Sequence, residues 1–399
     1  MRTLFPTLLF FVTSMLHGQA QWEQMESVPA AGRYWAAATG NSTHGYAGGG
    51  RLQFSGTNNT VADMYAYELA TDTWTTIPDY PGGVREGMDA FTIGERIFFA
   101  FGSPFIQFTR TVYEYLPLTN SWVQHEDVPG IGFAYSHGFV VGDTYYIGPE
   151  NGTNNVYAFN GSTNSWSTVA SFPGEDRRAQ CAFSANGMGY LGMGAGVFSG
   201  VYGDWWEYDP IADGWTQVAD IFPVSDQSSA TAVENVGYVF NVGGSGGGKQ
   251  LFRYDGANDE WIQDAILPTD RIANGSLFSI GTKGFLVFGQ SITSGGNFSS
   301  NALWQFTPGT TGVPDERSDE LGLVGFAVDG TIALRSKEVL DDAGMVSLFN
   351  ATGQLVQQQR ISARTIIDLR LGNALASGVY HVQVRIPGRT SSLRVIALE

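Results

Sequence analysis

MYAYELATDTW, from Met64 to Trp74, decides how the whole chain reads. Tyr65 and Tyr67 stand two apart, a polar turn follows, and Trp74 comes seven residues after Tyr67. The same spelling returns as Tyr113, Tyr115 and Trp122, as Tyr157, Phe159 and Trp166, as Trp206, Tyr208 and Trp215, and as Phe252, Tyr254 and Trp261. A sixth copy begins at Trp304 and Phe306, but seven residues after Phe306 stands Val313. The unmatched Trp is Trp22, near the other end of the chain.

Side chains two apart on a strand share a face, so each aromatic pair marks one side of a strand. Seven residues leave room for a tight turn and a return strand that carries the Trp back against its neighbour. The six units balance only if the N-terminal strand completes the last one. A circular β-propeller closes in this way and leaves only short, protected edges. The other arrangement, an open row of β-hairpins, gives Trp22 no such role. Successive Trp positions lie 52, 48, 44, 49 and 46 residues apart, and a period near 50 built of short strands marks a kelch-type blade.

The second unit shows the expected layout: an innermost strand from Gly87 to Ile93, then Arg96 to Gly102, Thr111 to Tyr115, and an outer strand from Trp122 to Glu126. Glycines recur after the second strand (Gly48 to Gly50, Gly102, Gly148, Gly192 with Gly194, Gly243 with Gly244, Gly289), where close backbone approach needs them. On these residues the stretch 21–307 resembles a six-bladed Kelch β-propeller, and segments such as FPGEDRRAQCAFSANGMGYLGMG, followed by DWWEYDPIADGW, are similar to repeats in secreted Kelch proteins of the Bacteroidetes. It departs from that pattern at Phe133, where Arg is usual, and in the long loop Gly50 to Ala62.

Only 15% of the 399 residues are charged and 13% are aromatic, far too apolar for disorder. The net charge is −17, and 28 acids face 11 bases between Gln21 and Thr307. Such a surface repels phosphate backbones, which argues against nucleic acid as a partner. A lone cysteine, Cys181, rules out an intrachain disulfide. Its apolar setting, AQCAFS, suits a buried small hydrophobe; a reactive thiol is the other reading.

Segment 1–20 reads as a secretory signal: Arg2, an apolar run from Leu4 to Leu16, and small residues at Gly18-Gln19-Ala20. No later stretch is apolar for long enough to span a bilayer as a helix, so no integral membrane segment is expected. Segment 308–320, PGTTGVPDERSDE, reads as a linker. From 321 to 399 apolar alternation returns, with turns at Asp329-Gly330, Thr352-Gly353 and Pro387-Gly388, as in a small antiparallel sandwich of roughly seven strands. Val346 to Phe349, Gly353 to Val356, Ile367 to Leu369, Leu375 to Tyr380 and Leu393 to Ile396 make this region similar to the type A C-terminal sorting domain of the type IX secretion system. That resemblance implies passage across the outer membrane by the secretion machinery and a secreted or cell-surface product. The usual Pro-Asn-Pro opening is missing; GFAVDGTIAL stands there instead.

Chemical motifs are sparse. His44 falls in a turn, His125 on an outer strand, His137 on an inner strand and His381 in the C-terminal region, and no two share metal-ligand spacing. No cofactor is implied. Galactose oxidase resembles such a propeller, but the His and Tyr copper ligands and the Cys-linked Tyr that it needs have no counterpart here. No Gly-x-Ser-x-Gly, P-loop or His-Glu-x-x-His motif occurs. The Gly-rich run Gly243 to Gly248 reads as a turn.

One constellation remains. Arg33, Arg85, Arg177, Arg178 and Arg271 all fall where an outer strand crosses to the next inner strand. Such crossings converge on one face around the channel, with Tyr34, Trp35, Glu86 and Asp226 nearby. Arg forks hold carboxylates and sugar hydroxyls, and aromatic faces stack on sugars, so these nine residues form a candidate ligand-binding mouth. Alternatively each Arg pins neighbouring blades by pairing with an acid such as Glu86, Asp176 or Asp270. Two functions fit: a surface module binding a glycan or protein ligand, or a carbohydrate-active enzyme resembling sialic acid mutarotase, another six-bladed Kelch ring.

Overall fold

The computed structural model describes residues 20–308, apart from 53–58, 105–106, 150–151, 197–199, 227 and 241–247, and then the segments 323–328, 331–336, 343–350, 354–362, 368–371, 378–386 and 389–397. The signal segment and the linker lie outside the described residues, Ala20 and Pro308 excepted, as does the glycine run except for Gly248. Among the described residues every regular element is a strand.

Residues 21–307 form six antiparallel sheets of four strands. The first contains Ala37–Gly40, His44–Gly48, Met64–Glu68 and Thr73–Ile77. The second contains Glu86–Ile93, Arg96–Ser103, Val112–Leu116 and Ser121–Gln124, within two residues of the strands expected. The third to fifth repeat the plan, with first strands at Phe139–Val141, Cys181–Ala185 and Ser229–Val233. The sixth joins Ser276–Ile280, Lys283–Val287 and Leu303–Thr307 to Gln21–Met25. Trp22 sits directly across from Phe306 in that pairing. Tyr67 faces Trp74, Tyr115 faces Trp122, Phe159 faces Trp166, Tyr208 faces Trp215 and Tyr254 faces Trp261 in the same way. First strands of neighbouring sheets lie against one another in chain order, and Ser276–Ile280 lies against Ala37–Gly40.

The repeated spelling is a clamp between sheets. Each turn places Asp or Asn in the left-handed region (Asp72 φ 51°, Asp213 φ 49°, Asp259 φ 51°), which these two residues tolerate better than most. There the Asp72 carboxylate accepts the Tyr67 hydroxyl at 2.7 Å and the Glu26 amide of the neighbouring sheet at 3.0 Å. Trp74 Nε1 donates to the Glu26 carbonyl at 2.8 Å. Asp213 with Trp215 grips Ala170 likewise, and Asp259 with Trp261 grips Ala219. At Phe159 there is no hydroxyl to give, and Arg96 holds the turn residue Asn164 instead, at 2.8 Å. Trp22 has no turn before it. Its ring packs on Phe240 and Phe306, but its buried Nε1 has no partner among the described residues.

Small residues on second strands serve the same contact. A Cβ on Gly189 would collide with the Phe139 ring of the preceding sheet, and one on Gly237 with Phe183. Cys181 is fully buried on its strand, and burial pushes its thiol up to about 12, so it packs as an inert hydrophobe. In the C-terminal region, Leu323–Val328, Thr331–Ser336 and Asp368–Leu371 form one sheet. Gly344–Asn350, Leu355–Ile361, Gly378–Ile386 and Arg389–Ala397 form a second, so the described residues there hold seven strands, where roughly seven were expected.

Candidate functional site

The segments that lead into the first strands meet in one shallow pocket that opens to solvent. Five residues on its wall hold the backbone in the left-handed region: Trp35 (φ 51°), Gly87 (61°), Tyr135 (61°), Ala179 (55°) and Asn274 (54°). Each belongs to a different sheet's entry. The Trp35 amide donates to the Asn274 carbonyl at 3.2 Å, Gly87 to Trp35 at 2.8 Å, and Tyr135 to Gly87 at 2.8 Å. The result is a backbone collar. A bulky aromatic in this conformation is costly, and such strain, roughly 1–3 kcal/mol per residue, gathers at functional sites. At Trp35 and Tyr135 it accompanies two aromatic rings set 5.1 Å apart at the pocket wall.

Beside those rings lies an ion pair between the partly exposed Arg51 and the buried Glu86. Arg51 Nη2 bonds Glu86 Oε1 at 2.7 Å, and the Tyr135 hydroxyl donates to the same oxygen at 2.7 Å. The Arg51 guanidinium also sits over the Trp35 ring at 5.5 Å. Burial raises the Glu86 carboxyl above its usual range, with Tyr135 and Arg51 opposing. Tyr34 is buried against Trp35 at 4.8 Å and supports it from behind.

On the pocket wall His137 Nδ1 lies 2.9 Å from Asp89 Oδ1, and the imidazole is about a third exposed. Asp89 is buried and firmly held: Oδ2 accepts the Gly138 amide at 2.8 Å and the Tyr145 hydroxyl at 2.5 Å, and Oδ1 accepts the Ala90 amide at 3.0 Å. Burial above all, then the Asp89 charge, raises Tyr145 well above its ordinary value, so it stays a donor. An ionised carboxylate only accepts, so Nδ1 carries the proton and Nε2 is the ring's remaining functional nitrogen. Asp226 lines the same pocket.

The nine candidate residues therefore divide. Trp35 and Asp226 line the pocket. Arg178 is exposed beside the pocket residue Ala179, near enough for its charge to lower Tyr135 against the burial that raises it. Arg271 is exposed on the short strand Arg271–Ala273. Glu86 and Tyr34 form the backing, and Arg85 is buried.

Arg33 and Arg177 do not ring the mouth; each is 1% exposed. Arg33 forks onto Asp63 at 2.6 and 2.8 Å and donates to the Ala31 and Gly49 carbonyls. Arg177 forks onto Asp204 at 2.6 and 2.7 Å and donates to Glu175 and Met193 in the same pattern. Each fork turns back to its own sheet, to Asp63 just before Met64–Glu68 and to Asp204 just before Trp205–Asp209, so these two Arg pin one sheet and not neighbouring blades as the alternative reading held, and they do so with other acids than expected. Glu86 takes Arg51, and Asp176 accepts the Gly152 amide. The reason is reach: the fork turns inward to an acid 30 or 27 residues along the chain. Phe133 keeps the backbone half of this job, its carbonyl accepting the Gly102 amide as Arg33 accepts Gly289 and Arg85 accepts Gly50. His137 stands just before its strand, not on it.

No family model matches the chain. It is 30% identical over 133 residues to the N-acetylneuraminate epimerase of Pasteurella multocida (strain Pm70), a stretch covering 30% of this chain and 33% of that protein. The chain thus matches only about a third of the length of this curated relative. The solved structure titled "Structure of YjhT" superposes with a TM-score of 0.57 and 16% identity, over 70% of this chain and 96% of that one. Together with the antiparallel four-stranded sheets, these likenesses support a Kelch-type β-propeller fold.

Proposed function

We propose that residues 21–307 form a six-bladed ring closed by the Gln21–Met25 strand, and that its mouth takes a sugar. The pairing of Trp22 with Phe306 supports closure. One observation carries the sugar: the rings of Trp35 and Tyr135 share a pocket with hydrogen-bonding His137, Asp226 and Asn274, the mixture of stacking face and polar edge that sugars need. Resemblance to an N-acetylneuraminate epimerase favours an acidic sugar over a protein ligand, and Arg178 and Arg271 are exposed cations available to its carboxylate. The activity we assign is exchange of sialic acid anomers. Nuclear magnetic resonance of N-acetylneuraminate with the purified protein tests both parts. Line broadening abolished by Trp35→Ala, with accelerated anomer exchange, supports the reading; no perturbation by high protein concentration contradicts it.

We also propose that the chain is exported through the signal segment and the 321–399 region and works outside the cell or on its surface. The seven C-terminal strands and the sorting-domain motifs support this. Removal of residues 321–399 should hold the protein behind the outer membrane; unimpaired export of the truncated protein contradicts the assignment.

A further inference from the structure

We propose that His137, oriented by Asp89, and Asp226 form a proton-transfer pair that opens and recloses the ring of the bound sugar. The proposal rests on the sugar-binding reading above and adds to it the groups that do the chemistry. Three observations meet. His137 and Asp226 line one pocket, beside the aromatic rings. His137 Nδ1 is committed to Asp89 at 2.9 Å, and among the described residues its Nε2 has no partner. Asp89 is itself fixed by Gly138, Tyr145 and Ala90. These three donors and His137 together fill the roughly four acceptor sites of a carboxylate. They lock its direction, and through it the plane and tautomer of the imidazole. A buried carboxylate behind a partly exposed imidazole stabilises the imidazolium when it forms, the logic shared by hydrolase triads.

The step balances without any oxidant or reductant. Asp226 takes the proton of the anomeric hydroxyl. The bond between the anomeric carbon and the ring oxygen breaks, and its electron pair goes to that oxygen, which receives the Nε2 proton of His137 in its imidazolium form, leaving the neutral Nδ1–H tautomer against Asp89. The anomeric carbon becomes a carbonyl. Rotation about the adjacent carbon–carbon bond presents its other face, and the same transfers in reverse close the ring with inverted anomeric configuration. Asp89 is a positioning residue and touches no substrate.

The test uses the full protein and N-acetylneuraminate as probe, with binding followed by calorimetry and anomer exchange by magnetisation transfer. His137→Asn and Asp226→Asn should each lose about a hundredfold or more of the exchange rate, the usual share of a positioned acid or base, with the dissociation constant within about threefold. Imidazole in solution should restore part of the rate to His137→Gly. Asp89→Asn should reduce the rate and shift the imidazole nitrogen resonances of His137 toward the other tautomer, a change that a merely structural role would not produce. Sugar binding by the wild type without faster exchange overturns this inference and leaves the sugar-binding reading standing. Wild-type rates in folded His137→Asn or Asp226→Asn overturn the assignment of those residues. Absence of sugar binding overturns both readings. Asp226 is part-exposed, so its variant keeps the test decisive if a change at His137 disturbs folding.

Discussion

Arg33 and Arg177 are buried so completely that their charges depend on Asp63 and Asp204. Removing one partner of a buried pair leaves an uncompensated charge, which costs about 3–5 kcal/mol. Asp204→Asn should therefore lower the melting temperature sharply, and Arg177→Ala should do the same with sugar affinity unchanged; a selective loss of affinity would restore Arg177 to the mouth. Burial pushes the Asp63 and Asp204 carboxyls up, but hydrogen bonds from Arg33 and Tyr65, and from Arg177 and Trp206, outweigh it and hold both below the usual range. A depressed carboxylate contributes stability above its unfolded value of about 3.9, and that contribution fades as pH falls through the folded value. The difference in urea midpoint between wild type and Asp204→Asn should thus be full at neutral pH and shrink below about pH 4. An undiminished difference in acid would show that the pair is not what Asp204 supplies.

The pins and the His137 dyad were hidden from sequence reasoning for a common reason. Asp63, Asp204 and Asp89 lie 30, 27 and 48 residues from their partners, and nothing local announces them. The collar was hidden differently. Trp35, Gly87, Tyr135, Ala179 and Asn274 share a backbone conformation and no side-chain type, so no letter repeats.

At the scale of the element, legibility was high because the clamp is written in side chains at fixed spacing. Aromatic pair, turn and Trp follow one another on two adjacent strands, so their geometry is set locally and recurs. What the spelling did not reveal was the middle term, the turn Asp or Asn that ties Tyr67 to Glu26. Trp74→Phe keeps the ring and removes one indole bond, and should cost about 1 kcal/mol. A change above 3 kcal/mol, read from chemical denaturation, would mean that the ring's packing had failed too. Gly189→Ala should cost about 1–3 kcal/mol, because its methyl group meets the Phe139 ring of the preceding sheet. A neutral result would show that the two sheets have room to part.

For the whole molecule, everything at the mouth depends on the chain meeting its own beginning. The Trp35 amide reaches the Asn274 carbonyl across that seam, and Ser276 Oγ donates to the Ala36 carbonyl at 2.7 Å. Both contacts lie between segments some 240 residues apart, so the pocket cannot be complete unless first and last sheets are held together. Loop closure of that length is entropically costly, and the Gln21–Met25 strand offsets it by pairing along its full length with Leu303–Thr307. The most direct measurement is a crosslink across this pairing. Gln21 and Thr307 are exposed partners in register, and Cys181, the protein's own cysteine, is buried beyond reach. Oxidation of the Gln21→Cys, Thr307→Cys double variant should give a monomeric, intramolecular disulfide, with a higher melting temperature than the reduced form. Free thiols after oxidation, or crosslinks only between molecules, would contradict the closed ring and the mouth built on it.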